Sequence, residues 1–311
     1  ISSPLIARKK PESRQEAQSL VLDFEMSGKS SGKRAQAGLC GWLQLNQQTE
    51  STQRPRKKRA NVDRKWENVS FGNAPMLIRR GCMAASERRT TKESLASLDD
   101  WDENVTIMMY GKEAKMRRRV CQFSQTGELR YSYSGLSVVA PKIPPVIRAI
   151  QVKVERTLRE YVSNQVDKGK TKPGGTSSEK ISEKMPVPDR FIQLLKTLDA
   201  EEDVFNYVLL NHYRTGVESM GYHSDDESSL DPACPIVSIS LGATRSFDIR
   251  PKKMKQGDKQ SRIARIPLRD GDMLVMFPPM QQHYEHSVPV EKRVLGDRIN
   301  LTFRRVRQMS G

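Results

Sequence analysis

In the last third of the chain, apolar and polar residues alternate in short runs separated by Gly, Pro or Asp. "VFNYVLLNHYRTG", "CPIVSISLG", "ATRSFDIRP", "RIARIPLRDGDMLVMF", "YEHSVPV" and "RINLTFRRV" follow one another in this way. Short β-rich segments at this spacing predict an all-β sandwich or barrel. Upstream, Val105, Ile107 and Met109 alternate as in a half-buried strand, and "LRYSYSGLSVV" reads as a second strand with Tyr131 and Tyr133 on one face. The period changes in "IPPVIRAIQVKVERTLREYV", where Ile147, Ile150, Val154 and Leu158 fall at helical spacing behind Pro144 and Pro145. "DRFIQLLKTLDA" predicts a short amphipathic helix from Asp189. The stretch between the helices is rich in Lys, Gly, Ser and Pro, and residues 164–186 read as a flexible insertion. The predicted class is mainly β with flanking helices (α+β).

Residues 1–90 show no sustained periodicity and are rich in Ser, Gln, Gly and Lys. Residues 1–95 are therefore expected to be a basic, largely disordered N-terminal region, with the folded domain over 100–308. Residues 1–90 carry 18 Lys/Arg against 8 Asp/Glu, or 10 of the 16 net positive charges of the chain. A balance of +16 points to a polyanionic partner, most simply nucleic acid, or else to a basic tail that binds nothing in particular. "RPRKKR" (Arg54 to Arg59) suits a phosphate clamp or a nuclear address. No apolar run is long enough to span a bilayer, and no signal peptide opens the chain. The four cysteines, at 40, 82, 121 and 234, form no CxxC pair, which argues against a zinc site or a disulfide framework and fits a reducing compartment, cytoplasmic or nuclear. The start at Ile1 rather than Met suits a fragment or a processed product.

The histidines are informative by their placement. There are four, at 212, 223, 283 and 286, all in the β-rich third. In an extended segment residues i and i+2 project to one side, so His223 and Asp225 in "HSD" aim a ring nitrogen and a carboxylate at one point. A histidine from another strand would complete the two-His, one-carboxylate set of non-heme Fe(II) oxygenases. His283 and His286 compete for that role and would face opposite sides of a regular strand. In "RINLTFRR", Arg298, Asn300, Thr302 and Arg304 share one face while Ile299, Leu301 and Phe303 share the other. Pointed into a barrel, two arginines and an amide call for an anionic ligand, and a small dicarboxylate fits guanidinium forks. Pointed outward, they are the polar side of an edge strand.

Together, "NHYRTGVESMGYHSDDE", "PIVSISLGATRSFDIRP", "HYEHSVPV" and "RINLTFR" resemble the AlkB family of Fe(II)/2-oxoglutarate dioxygenases, with "MMYGK" and "YSYSGL" extending the likeness to roughly Asp100–Gln308. The resemblance implies a double-stranded β-helix (jelly-roll) core. It implies His223, Asp225 and His286 as iron ligands, with His283 as a neighbour on the substrate side. Arg298 and Arg304 are then the anchors of 2-oxoglutarate, assisted by Asn211, Tyr213, Asn300 and Thr302. Tyr133 takes the place of an aromatic that stacks on a flipped base. Tyr131 lines the pocket, Glu227 contacts the base edge, and Arg117, Arg118 and Arg119 in "KMRRRV" meet phosphates.

The implied activity needs Fe(II), 2-oxoglutarate and O2. It removes N-alkyl groups from bases of the 1-methyladenine or 3-methylcytosine type, in RNA or single-stranded DNA, and releases formaldehyde, succinate and CO2. A base must leave its stack to be reached, which favours damaged or single-stranded sites. The implied protein is a monomer that binds nucleic acid and no membrane. Two alternatives share the scaffold: an N6-methyladenine demethylase within a plant RNA-virus polyprotein leader, and an oxygenase acting on protein.

Overall fold

The computed structural model describes residues 65–109, 112–133, 136–170, 187–199, 201–253 and 263–307. Residues 60–311 form one compact unit. In chain order the first elements are β1 (Trp66–Asn68), β2 (Met76–Arg79), α1 (Ala85–Ala96), β3 (Thr106–Met109), β4 (Lys112–Lys115), β5 (Arg119–Ser124), β6 (Arg130–Tyr133) and β7 (Leu136–Val139). The helices α2 (Pro145–Lys170) and α3 (Asp189–Thr197) follow. The remainder is β8 (Tyr207–Tyr213), β9 (Met220–His223), β10 (Ile236–Gly242), β11 (Arg245–Pro251), β12 (Ala264–Leu268), β13 (Met273–Met276), α4 (Met280–His283), β14 (Tyr284–Val288) and β15 (Arg298–Arg304).

A seven-stranded sheet, β1-β2-β13-β10-β15-β8-β5, faces a four-stranded sheet, β12-β11-β14-β9, and β3-β4 and β6-β7 are separate hairpins. This is the double-stranded β-helix that the resemblance implied. The large sheet is covered on both sides, and the alternation along its central strands reports the two environments. Ile299, Leu301 and Phe303 of β15 join Val208 and Leu210 of β8 in one cluster with Ile147, Ile150, Val154 and Leu158 of α2. The opposite face of β15 carries Arg298, Asn300, Thr302 and Arg304, each no more than 9% exposed. A second cluster joins the sheets face to face, with Ile78, Leu274 and Met276 against Phe247, Ile249 and Ile266. The polar face of β15 is therefore inside the barrel and not on an open edge.

Three sequence expectations meet a different structure. Residues 66–95, assigned to the disordered region, supply β1, β2 and all but the last residue of α1, and β2 pairs with β13 from Met273↔Arg79 to Met276↔Met76. Leu77 enters the helix-side cluster while Met76 and Ile78 enter the inter-sheet one. A strand buried on both faces has no alternation to read. Helix α1 buries only Leu95, so its apolar periodicity is nearly absent; its first turn is closed by the Ala84 N–H donating to the Glu87 carboxylate at 3.2 Å. Next, α2 runs through Lys170, so residues 164–170 of the expected insertion are helical, and 171–186 lie outside the described residues. Finally, "LRYSYSGLSVV" is not one strand: Tyr133 pairs with Leu136, making β6 and β7 an antiparallel hairpin. Among the described residues, no helix is long and apolar enough to cross a membrane.

Candidate active site

Strand pairing brings two distant histidines together. His223 ends β9 and stands directly opposite His286 of β14. Their rings lie 4.2 Å apart, centroid to centroid, and Phe247 of β11 stacks on His286 at 5.0 Å. Just beyond β9, the Asp225 Oδ1 comes within 3.9 Å of His223 Nε2. One ligand atom from each of His223, Asp225 and His286 falls within 4.8 Å of the others. The turn between His223 and Asp225 is held from the 280s. The Ser224 hydroxyl donates to the Tyr284 carbonyl at 3.2 Å, and the Asp225 N–H donates to Gln281 Oε1 at 3.1 Å.

The protonation of this trio suits a divalent cation. Burial pushes the His286 pKa down to about 3, with the adjacent His223 adding to the effect. Burial likewise lowers that of His223. Its Nδ1 is 2.9 Å from the Gly221 carbonyl, which requires an N–H there and leaves Nε2 as the lone-pair atom toward Asp225. Burial alone would raise the Asp225 pKa, but Arg304 and the two histidines hold it well below the usual carboxylate range. Two neutral imidazoles and one carboxylate on one side of a point form an Fe(II)-type donor set.

Two guanidiniums lie nearby on the inner face of β15. Arg304 Nη2 meets Asp225 Oδ1 at 2.8 Å, while its Nε and Nη1 make no hydrogen bond among the described residues. Arg298 Nη2 donates to the Ser240 hydroxyl at 2.9 Å, and its Nε and Nη1 are similarly open. The Arg298 guanidinium stacks 5.5 Å from the Tyr213 ring, and burial pushes its pKa down to about 10. Buried N–H groups without acceptors are costly, and a dicarboxylate would supply them. The residues present thus fit both Fe(II) and 2-oxoglutarate. The other members of the set are engaged within the protein. Asn300 Nδ2 donates to Ser238 Oγ at 2.6 Å and to the Ile239 carbonyl at 2.9 Å, Thr302 donates to Asn300 Oδ1 at 3.4 Å, and Asn211 Oδ1 accepts from Arg118 Nε at 2.5 Å.

A cavity of about 420 Å³ opens onto His223, Asp225 and Arg304. Tyr131, Glu227, Arg117 and Arg118 line it, but Arg298, Asn300 and Thr302 do not. Tyr131 is fully buried with its ring 4.4 Å from that of Tyr207. Glu227 lines the cavity beside Tyr131, and burial together with the Asp225 charge raises its pKa. The Tyr133 side chain lies outside the described part of the structure.

Two residues from the sequence analysis sit elsewhere. Arg119 turns away from the cavity: its Nη2 is 2.7 Å from His212 Nδ1, its guanidinium lies 5.5 Å from the Trp101 ring, and Glu103 is 3.4 Å away. It pairs with His212 in the β5–β8 ladder and so shares that residue's outer face. His283 is exposed at the end of α4, because β14 begins only at Tyr284; His283 and His286 therefore do not share one regular strand. Sequence reasoning missed Phe247, Ser224 and Gln281. Of these only Phe247 carried a signal, as an apolar position in an alternating strand.

Residues 75–304 match the family described as the 2OG-Fe(II) oxygenase superfamily. The human DNA oxidative demethylase ALKBH2 is 45% identical over 104 residues, covering 33% of this chain and 40% of its own length. Its bovine counterpart is 42% identical over 202 residues, covering 64% of this chain and 57% of its own length. The human alpha-ketoglutarate-dependent dioxygenase alkB homolog 3 is 43% identical over 106 residues, or 33% of this chain and 37% of that protein. The chain thus spans about half the length of the curated relatives it matches, or less. The solved structure of OsALKBH1 aligns with a TM-score of 0.45 at 15% identity, covering 76% of this chain and 99% of that one.

Proposed function

The chain belongs to the 2OG-Fe(II) oxygenase superfamily, and we propose that it oxidatively demethylates N-alkylated bases in single-stranded nucleic acid, of the 1-methyladenine and 3-methylcytosine type. One observation carries the proposal. Two members of the metal-binding trio, His223 and Asp225, line a cavity that is also lined by Arg304, whose Nε and Nη1 have no acceptor among the described residues. Likeness to relatives named as DNA oxidative demethylases supports the choice of substrate.

His223, Asp225 and His286 would hold Fe(II), with Asp225 supplying the negative charge and the histidines neutral donors. Arg304 would bind one carboxylate of 2-oxoglutarate beside the metal, and Arg298 the other. With iron, 2-oxoglutarate and O2 bound, the chemistry supplied is hydroxylation of an N-methyl group with loss of succinate and CO2, after which the hydroxymethyl adduct releases formaldehyde. The residues of the cavity do the positioning. Tyr131 walls in the flipped base, the Glu227 carboxyl reaches its polar edge, and the exposed Arg117 meets phosphate at the mouth.

The test is mass spectrometry of matched RNA and DNA oligonucleotides bearing 1-methyladenine or 3-methylcytosine, with Fe(II), 2-oxoglutarate and ascorbate. Loss of one methylene mass from either polymer, absent with Asp225→Ala, is the expected result. Turnover of 2-oxoglutarate with no change in any oligonucleotide would retain the oxygenase and discard nucleic acid as its substrate.

A further inference from the structure

The outer face of the small sheet carries an aromatic ring that the proposed reaction does not use. Tyr222 immediately precedes His223 on β9 and so projects to the other side of the strand. The Arg250 guanidinium covers its ring, with the guanidinium carbon 3.8 Å from the ring centroid. Arg250 is itself fixed: it pairs with Glu285 in the β11–β14 ladder, and its Nε and Nη2 donate to Glu285 Oε2 at 2.9 and 2.8 Å. Three adjacent strands therefore hold one ring in a set orientation. Tyr222 is half-buried and also lines the cavity that holds His223 and Asp225. The ring stands at the lip, where the interior site meets the surface of the sheet.

We propose that Tyr222, backed by Arg250, is a stacking shelf for the nucleobase next to the one being demethylated. The proposal rests on the nucleic-acid function proposed for the cavity. A base drawn toward the metal leaves its neighbour in the strand without a stacking partner. An aromatic ring fixed at the lip replaces that partner, and the cation behind it strengthens attraction to a π-system. In a duplex the neighbour remains paired and stacked, so the shelf favours single strands. The surrounding charges narrow the chemistry further. Arg250 is matched by Glu285, Lys252 by Asp226 at 2.6 Å, and Arg265 by Asp248 at 2.7 Å. Among the described residues, these three cations are already matched by carboxylates, and the contact the ring itself adds is stacking.

The test uses the full chain with Mn(II) and 2-oxoglutarate, and single-stranded oligonucleotides carrying one 1-methyladenine. 2-Aminopurine is placed on its 5′ or its 3′ side, since stacking quenches that fluorophore. Wild type is expected to quench it at one of the two positions. Tyr222→Ala restores the emission and weakens binding about tenfold, with the salt dependence unchanged, while Tyr222→Phe behaves as wild type. An abasic nucleotide at that position lowers wild-type affinity equally, and Tyr222→Ala then costs nothing more. Equal quenching and affinity in wild type and Tyr222→Ala, with methylated oligonucleotide still bound and, in a parallel assay with Fe(II) and ascorbate, demethylated, would overturn the shelf alone. A steeper salt dependence in wild type than in Tyr222→Ala would replace stacking by a phosphate contact. Failure of wild type to bind any oligonucleotide removes the nucleic-acid function and the shelf with it.

Discussion

Arg304 of β15 and Asp225, just beyond β9, face each other at 4% and 6% exposure, and each balances the other's charge at 2.8 Å. A buried pair of this kind is strongly destabilised when one member goes, by about 3–5 kcal/mol. Arg304→Met should therefore lower the melting temperature of the metal-free protein sharply. A divalent cation at the trio supplies the missing positive charge, so Mn(II) should raise the melting temperature of Arg304→Met by more than that of wild type. Equal increments in a thermal-shift titration would separate the arginine from the metal site. Arg298 predicts a different signature, because it hydrogen-bonds to Ser240 and stacks on Tyr213 without touching the trio. Arg298→Gln should weaken 2-oxoglutarate binding by roughly thirtyfold, the scale of removing one partner from a buried charge pair, and leave Mn(II) affinity within a factor of about two. Calorimetry of each ligand checks both statements.

Between strands, the register decides what each side chain meets, and much of it could be read in advance. The alternation in "RINLTFRR" predicted two faces of β15, and the i, i+2 spacing of His223 and Asp225 predicted a shared direction. Which way the polar face of β15 pointed could not be read, because that depends on the sheet packed against it. The same limit hid Arg119. Strand β5 begins at the last of three consecutive arginines, and only its pairing with β8 shows that Arg119 faces out, while Arg118 reaches inward to Asn211. Out there, Arg119 joins a chain through His212, Asp297 and Lys92 that ties β5 and β8 to α1, with His212 Nε2 3.1 Å and Lys92 Nζ 2.5 Å from Asp297. Arg119 can donate to His212 Nδ1 only while that nitrogen is unprotonated. Burial and Arg119 lower the His212 pKa, against the opposing pull of Asp297 and Glu218. The unfolded chain therefore takes up the proton first. This contribution to stability is complete above about pH 6.5 and declines as pH falls from there toward the lower folded-state value. His223 and His286 shift in the same direction, so the test is a difference. Denaturant unfolding of wild type and His212→Gln between about pH 7.5 and 5 should show a shallower loss of stability in the variant, and parallel curves would remove His212 from the account.

At the scale of the molecule, charge and fold are distributed unequally. Residues 1–59 carry 12 Lys/Arg and 5 Asp/Glu, a balance of +7 that leaves +9 of the +16 on residues 60–311. Every residue assigned to the metal, to 2-oxoglutarate or to the cavity lies in the second part, as do both sheets. The start of the second part is where composition misleads. Residues 65–96 look like a continuation of the basic tail, yet Met76, Leu77, Ile78, Met83 and Leu95 are each no more than 2% exposed. Truncating one large buried side chain costs about 2–5 kcal/mol, against a total stability of about 5–15 kcal/mol for a typical domain. A chain starting at residue 97 should accordingly fail to fold, whereas one starting at residue 60 should melt as the full chain does. The shorter folded chain then isolates the contribution of the basic segment. If residues 1–59 meet phosphates, their removal should weaken oligonucleotide binding and flatten its dependence on salt, by about 0.7 in log–log slope for each single-strand phosphate they neutralise. Turnover at saturating oligonucleotide should stay unchanged, because nothing that holds the metal or the base has been removed. An unchanged salt slope would assign phosphate binding to the compact unit itself, with Arg117 at the cavity mouth as the first residue to substitute.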